Sequence, residues 1–206
     1  MAWEHLSLVL ARRCGIHAAE SSLVKVAGKN VLLVRRFDRT TSARIGYVSA
    51  MTMLEANEGD AGSYIDITEV ITENGLSVTR DLEELWRRIA FSIAISNTDD
   101  HLRNHGFLRN DVANGWDLSP AFDLNPEPRA KKPLLVTPIR PGEHAADFRL
   151  LLEEISAFRV HFEQAQRIAS EINTAVGGWR ELAHDLGISA AEQDRLSVAF
   201  HHLDVD

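Results

Sequence analysis

Apolar and polar positions change period several times along the chain, and each change marks an element. Trp3, Leu6, Leu8, Val9 and Leu10 fall near helical spacing and Gly15 follows as a stop, which predicts a helix over 3–14. The β-formers Leu23-Val24 and Val31-Leu32-Leu33-Val34 flank the turn sequence "AGKN", a hairpin signature. The stretch "YVSAMTMLEA" (47–56) reads as a short helix with Ser49 capping 51–56, and "NEGDAGS" (57–63) as a loop. Helical spacing returns over 63–73 and 80–95; the second helix is capped near Thr79, with Asp81, Glu83 and Glu84 in its first turn.

Farther on, Phe107-Leu108 and Trp116-Asp117-Leu118 are short β candidates around the turn-rich "RNDVANG". All but one of the six prolines lie in 124–144, which predicts an irregular, surface-lying segment. The remainder, 145–203, reads as helical in three stretches, with Gly177-Gly178 placed to kink or break the middle one. The expected fold class is α+β, mostly helical: one hairpin and a few short strands on a helical body.

Composition narrows the setting. At 206 residues, with 45% hydrophobic and 25% charged residues, the chain can bury a core without staples. The single cysteine, Cys14, excludes an internal disulfide and favours a reducing compartment. No apolar run approaches the roughly 20 residues of a spanning helix. The N-terminal stretch has its acid early and its arginines late, the reverse of a secretory signal. The expectation is a soluble, cytoplasmic protein with no membrane contact. A net charge of −8 argues against direct nucleic-acid binding as the main task. The pairs Arg12-Arg13, Arg35-Arg36, Arg87-Arg88 and Lys131-Lys132 read as solvated surface.

The chemistry is concentrated in "SNTDDHLRNHGF" (96–107), directly after the apolar "LWRRIAFSIAI" (85–95). Phosphoryl transfer from a nucleotide needs one carboxylate to orient the attacking hydroxyl. It also needs a second carboxylate and an amide oxygen to hold Mg²⁺ against the phosphates. Protein kinases carry the first carboxylate and the amide as Asp-x-x-x-x-Asn, with the second carboxylate following a short hairpin. Asp99 and Asn104 have that spacing, and "GWDLSPAFDLNP" puts Asp123 after the predicted hairpin. Other readings stay open. Asp99 and Asn104 can be loop residues and Asp123 a turn residue. His101, His105, Asp99 and Asp100 can ligate a transition metal, though adjacent side chains rarely face one ion. Cys14 lies on a helix without a partner at triad spacing.

Four motifs in order, "LVRRFDR", "YVSAMTML", "SNTDDHLRNHGFL" and "LSPAFDLNP", resemble the C-terminal kinase domain of the HipA family, bacterial serine/threonine kinases that act as toxins in toxin–antitoxin pairs. The resemblance runs from the first helix to "WRELAHDLGIS". It implies a kinase-like large lobe over 38–206, with 1–37 a remnant of the small lobe and the hinge. It implies Asp99 as catalytic base and Asn104 and Asp123 as Mg²⁺ ligands. It places His101 and the main-chain groups of Arg35 and Phe37 at ATP, and Arg103 at a phosphate or a structural carboxylate. Asp100 and His105 are left to shape the loop.

The family's phosphate-covering loop and its lysine lie upstream of the first helix and have no counterpart here; Glu4 resembles the helix acid that such a lysine pairs with. Lys25 and Lys29, on the hairpin, cannot substitute. The implied function is a serine/threonine kinase using ATP and Mg²⁺, incomplete without an N-terminal segment. Its expected partners are a protein substrate such as an aminoacyl-tRNA synthetase and an antitoxin of the HipB type, with DNA reached only through that antitoxin. A catalytically impaired module that binds a DNA-binding antitoxin, or a small-molecule phosphotransferase, fits the same residues.

Overall fold

A computed structural model describes residues 1–57, 59, 62–128 and 133–205. Part of the expected 57–63 loop and the Lys131-Lys132 pair lie outside the described residues. In chain order the elements are α1 (Ala2–Arg13), β1 (Ser21–Val26), β2 (Lys29–Val34), β3 (Tyr47–Ser49), α2 (Ala50–Met53), α3 (Tyr64–Asn74) and α4 (Val78–Ala94). Then come β4 (Gly106–Asn110), β5 (Gly115–Leu118), α5 (Phe148–Glu153), α6 (Phe162–Gly177), α7 (Trp179–Asp185), α8 (Ala190–Leu196) and a 3₁₀ turn at Ser197–Ala199. The fold is α+β and mostly helical, as expected.

Helix α4 is the axis of the body. Leu85, Trp86, Ile89, Ala90, Phe91 and Ala94 are fully buried, and α3, α5 and α6 pack around it. Its C-terminal half, Ile89–Ala94, is buried on every side, as a segment with almost no polar side chains must be. Its arginines follow it inward: Arg87 and Arg88 are buried rather than solvated, which corrects the surface reading of that pair. The reason is main-chain satisfaction. Arg87 donates to the carbonyl of Cys14 at the end of α1 and pairs with Glu171, while Arg88 donates to the carbonyl of Ser119 and pairs with Glu84. Guanidinium groups with several such partners can be buried where lone cations cannot.

The hairpin β1–β2 forms with Val26 opposite Lys29, and Ala27 and Gly28 take the positive φ of a two-residue turn. Helix α1 packs across it, and Leu33 and Val26 stay exposed. The second sheet has the order β3-β4-β5, all antiparallel. Strand β3 is absent from the sequence reading, which assigned Tyr47–Ser49 to the approach of a helix. Helix α2 is a single turn, capped by Ser49 as expected but ended at Met53. Helix α4 begins two residues earlier than predicted.

The proline-rich stretch is irregular, but Leu124, Leu135, Thr137 and Ile139 are buried, so it is not merely surface-lying. Apolar residues that the body leaves unmatched pull it inward. The first of the three helical stretches expected over 145–203 stops at Glu153. Gly177-Gly178 does break α6 from α7, and 200–203 is not helical, with His201 N donating to Ala94 O at the end of α4.

Helix α3 opens on a reciprocal capping box between Ser63 and Asp66. Ser63→Ala removes one half of it and is expected to lower stability by about 1 kcal/mol, read as a shifted urea midpoint at unchanged slope.

Candidate active site

Asp99, Asn104 and Asp123 lie on two loops that follow buried elements and that are hydrogen-bonded to each other. The first loop, 96–105, leaves the end of α4. Ser96 takes a left-handed φ of 51°, and its hydroxyl lies 3.0 Å from His201 Nε2. The loop's shape is fixed through main chain: Val136 N donates to Thr98 O, Met51 N to Leu102 O and Ala50 N to His105 O. Asp99 is exposed. Asn104 is buried, and its Nδ2 reaches back toward Asp99 O at 3.5 Å. None of these bonds uses the Asp99 carboxylate, which has no hydrogen-bond partner among the described residues.

The second loop, 119–127, is hung between two supports. The Asp81 carboxylate, buried on α4, accepts from Leu118 N, and Arg88 holds Ser119 O. From the other side Ala121 N donates to His17 O, and Ala19 N to Ala121 O. Asp123 then turns at φ 57°, a conformation its short polar side chain tolerates, and accepts from Asn125 Nδ2 at 3.0 Å. Asn97 locks the loops together: its Oδ1 accepts from Asn125 N, its Nδ2 donates to Ser92 Oγ, and Glu127 N donates to Ser96 O. Asn97 and Asn125 carry no role in the sequence reading. No spacing rule marks them, because their pairing spans the β4–β5 hairpin.

Glu4 on α1 is half-buried, and its carboxyl is raised above the usual range, first by burial and then by the charge of Asp123. The helix acid thus lies within electrostatic reach of the second loop. Arg35 is exposed and paired with Glu20, and its N–H is already spent on Glu20 O. Only its carbonyl is available for a base edge. Phe37 packs against Tyr47 and Phe122, with ring centroids 6.1 and 5.7 Å apart, next to the Asp123 turn.

The neighbours of Asp99 and Asn104 point the other way. Asp100 is buried, accepts from Tyr64 Oη at 2.7 Å, and lies 3.1 Å from His105 Nε2, close enough to pair though off the line of a good hydrogen bond. Burial pushes the Asp100 carboxyl up, but His105, Tyr64 and Arg88 outweigh it and hold the pKa below the usual value. The loop-shaping reading of Asp100 and His105 matches this geometry.

His101 is half-buried, with Nδ1 enclosed and unpaired. It lines a cleft of about 720 Å³ with Leu102, Arg103, Val136, Thr137 and His144, to which neither Arg35 nor Phe37 contributes. A transition-metal site is not assembled: among the described residues no group of three or more His, Cys, Asp or Glu is placed to hold one. Cys14 is buried, and its thiol is pushed up to about 12 by that burial, which removes it as a nucleophile.

Residues 1–179 match the family model of the HipA-like C-terminal domain. The chain belongs to this family. A Sinorhizobium fredii protein named "Putative kinase Y4dM" is 28% identical over 137 residues, which is 59% of this chain and 32% of that protein. Among solved structures, HipA from the Shewanella oneidensis MR-1 toxin–antitoxin complex of HipA, HipB and operator DNA superposes with a TM-score of 0.71 at 14% identity. That match covers 96% of this chain and 52% of HipA. The Helicobacter pylori proinflammatory kinase CtkA gives 0.61 at 15% identity, over 96% and 84%. The chain spans about a third of the length of Y4dM and about half that of the Shewanella HipA. The fold is kinase-like, and the chain is a HipA-like kinase-family domain. No helix among the described residues is long and apolar enough to cross a membrane.

Proposed function

We propose that the chain is the large-lobe part of an ATP- and Mg²⁺-dependent serine/threonine protein kinase, in which Asp99 orients the acceptor hydroxyl and Asn104 and Asp123 hold the metal. The observation that carries this reading is the tie of Asn97 to Asn125. It sets the Asp99 loop and the Asp123 turn side by side although the β4–β5 hairpin separates them. A Mg²⁺ ion keeps several waters and takes substrate phosphates as ligands, so one carboxylate and one amide oxygen from protein suit it. Bound there, the ion would neutralise charge developing on the phosphates.

The chain's own residues do the positioning. The exposed Asp99 carboxylate accepts the hydrogen of the incoming hydroxyl and turns the oxygen's lone pair toward the γ-phosphorus. Asn104, bonded toward the Asp99 carbonyl, couples the metal position to the base. Phe37 and the Arg35 carbonyl stand where the base of ATP would lie. Glu4, within electrostatic reach of Asp123, is placed to meet a phosphate-gripping lysine from an N-terminal segment. Residues 1–37 then act as a small-lobe piece with the hinge, and 38–206 as the large lobe.

The HipA of the Shewanella complex is bound to HipB and operator DNA. By analogy this domain belongs to a toxin paired with an antitoxin of the HipB type, touches DNA only through that partner, and phosphorylates a protein such as an aminoacyl-tRNA synthetase. Calorimetry with ATP and Mg²⁺ tests the nucleotide site. Wild type should bind, and Asp123→Ala should bind at least ten-fold more weakly, with the difference vanishing when Mg²⁺ is omitted. Equal heats for the two proteins would overturn the reading.

A further inference from the structure

The stretch 133–135 runs beside the catalytic-loop candidate as a short strand-like piece, and the chain bends at Val136 and Thr137. Leu134 pairs with Ala145 as an antiparallel bridge, flanked by hydrogen bonds from Ala146 N to Pro133 O and from Leu135 N to His144 O. A pair that sits between two such bonds turns its own N–H and C=O outward. The main-chain groups of Leu134 therefore face away from Ala145 and have no partner among the described residues. Val136, two residues on, points its N–H to the same side, where it meets Thr98 O at 2.9 Å. One edge of this stretch is thus occupied by the residue preceding Asp99 and, directly next to it, is open.

The side chains agree with the backbone. Leu135 and Thr137 are buried at 2%, whereas Leu134 and Val136 are 64% and 51% exposed. Two large apolar side chains stand on an edge that ends at the exposed Asp99. Val136 also forms part of the cleft of about 720 Å³, whose walls include Met51, Leu102, Pro138 and His101, which lies two residues past Asp99 in sequence. An open strand edge with alternate apolar side chains is what an extended peptide pairs with: main-chain bonds give affinity and alternate side chains give specificity. A small molecule would leave both the Leu134 main chain and its side chain unused.

We propose that the acceptor is a protein segment that docks in extended form on this edge, pairing with the main chain of Leu134. It sets a branched apolar residue, one or two positions from its serine or threonine, against Leu134 and Val136. The inference deepens the kinase reading and names the acceptor class of that site. At 3.3–3.6 Å per extended residue, a hydroxyl at Asp99 carries its near neighbours onto the edge.

The test is binding of the purified chain to an array of synthetic 11-residue peptides with a central serine, in which each flanking position is varied through Leu, Val, Asp and Lys. Peptides with Leu or Val one or two positions from the serine should bind about ten-fold better than those with Asp, a difference of ~1.4 kcal/mol. Leu134→Asp and Val136→Asp should each erase that preference, while Val198→Asp, a remote exposed apolar position, should keep it. Circular dichroism checks that each variant is folded. Absence of peptide binding by wild type, absence of an apolar preference, or a preference that survives both edge substitutions overturns the proposal. ATP–Mg²⁺ calorimetry on the same wild-type sample separates the two ideas. Apolar peptide preference without ATP binding refutes the kinase reading and leaves the docking edge standing; ATP binding without the preference does the reverse.

Discussion

Asp99→Asn is expected to lower phosphoryl transfer by about 10²–10⁴, the range that a positioned acid–base group supplies, with folding stability unchanged. The variant keeps size and shape and removes only the charge. The loop does not need that charge, because its bonds run through the carbonyls of Thr98, Asp99, Leu102 and His105. A fall in rate therefore reports chemistry rather than a loosened loop. The measurement is transfer of radiolabelled γ-phosphoryl to protein, alongside ATP–Mg²⁺ affinity by calorimetry. The expected pattern is a collapsed rate at near wild-type affinity, since Asn104 and Asp123 stay in place. A rate within a few-fold of wild type would remove Asp99 from the proposed mechanism, and a matching loss of affinity would move it to the metal.

Much of this site was legible because its residues sit where local signals are strong. The apolar-rich segment 85–95 behind an acidic first turn announced α4, and the loop delivered from its end had to carry the polar residues next in sequence. The Ala27-Gly28 turn and the "RNDVANG" loop marked both hairpins, and the second of them explains how Asp123 returns to Asp99. Features set by distant partners were not legible. Tyr47–Ser49 is a strand only because Gly106–Leu108 lies beside it. Arg87 and Arg88 are buried only because Cys14, Ser119, Glu84 and Glu171 offer them partners. Asn97 gains its role from Asn125, and Leu134 from Ala145.

The hardest distinction lay between two identical neighbours. Asp99 and Asp100 differ by one step along the backbone, which turns one carboxylate outward and the other into the core. Sequence spacing favoured Asp99 through Asn104, yet nothing in the sequence indicated that Asp100 had a tyrosine from α3 waiting for it. That contact ties α3 to the loop from below, while Val136 and Asn125 tie it from the sides. The buried carboxylate is thus structural, and the exposed one is open to the role proposed for it.

Asp100→Ala should accordingly have the largest effect on folding of any single change at the site. It leaves the Tyr64 hydroxyl without its acceptor and His105 without its carboxylate, both in the interior. Removing the charged acceptor of a buried hydrogen bond costs about 1.5–3 kcal/mol. A neutral hydrogen bond alone would cost only about 1 kcal/mol, so the size of the loss identifies the charge as the cause. The sign of the pH dependence follows from the same network. The folded-state pKa of Asp100 lies below its ordinary value, so its contribution is fully present above that ordinary value, about 4. It is lost as pH falls from there through the folded pKa. Urea unfolding of wild type and Asp100→Asn at pH 7 and at successively lower pH reads this directly. The stability gap between them should be constant from neutral pH down to about 4 and should narrow below it. A gap that stays the same through the acid range would mean that Asp100 contributes its shape and not its charge.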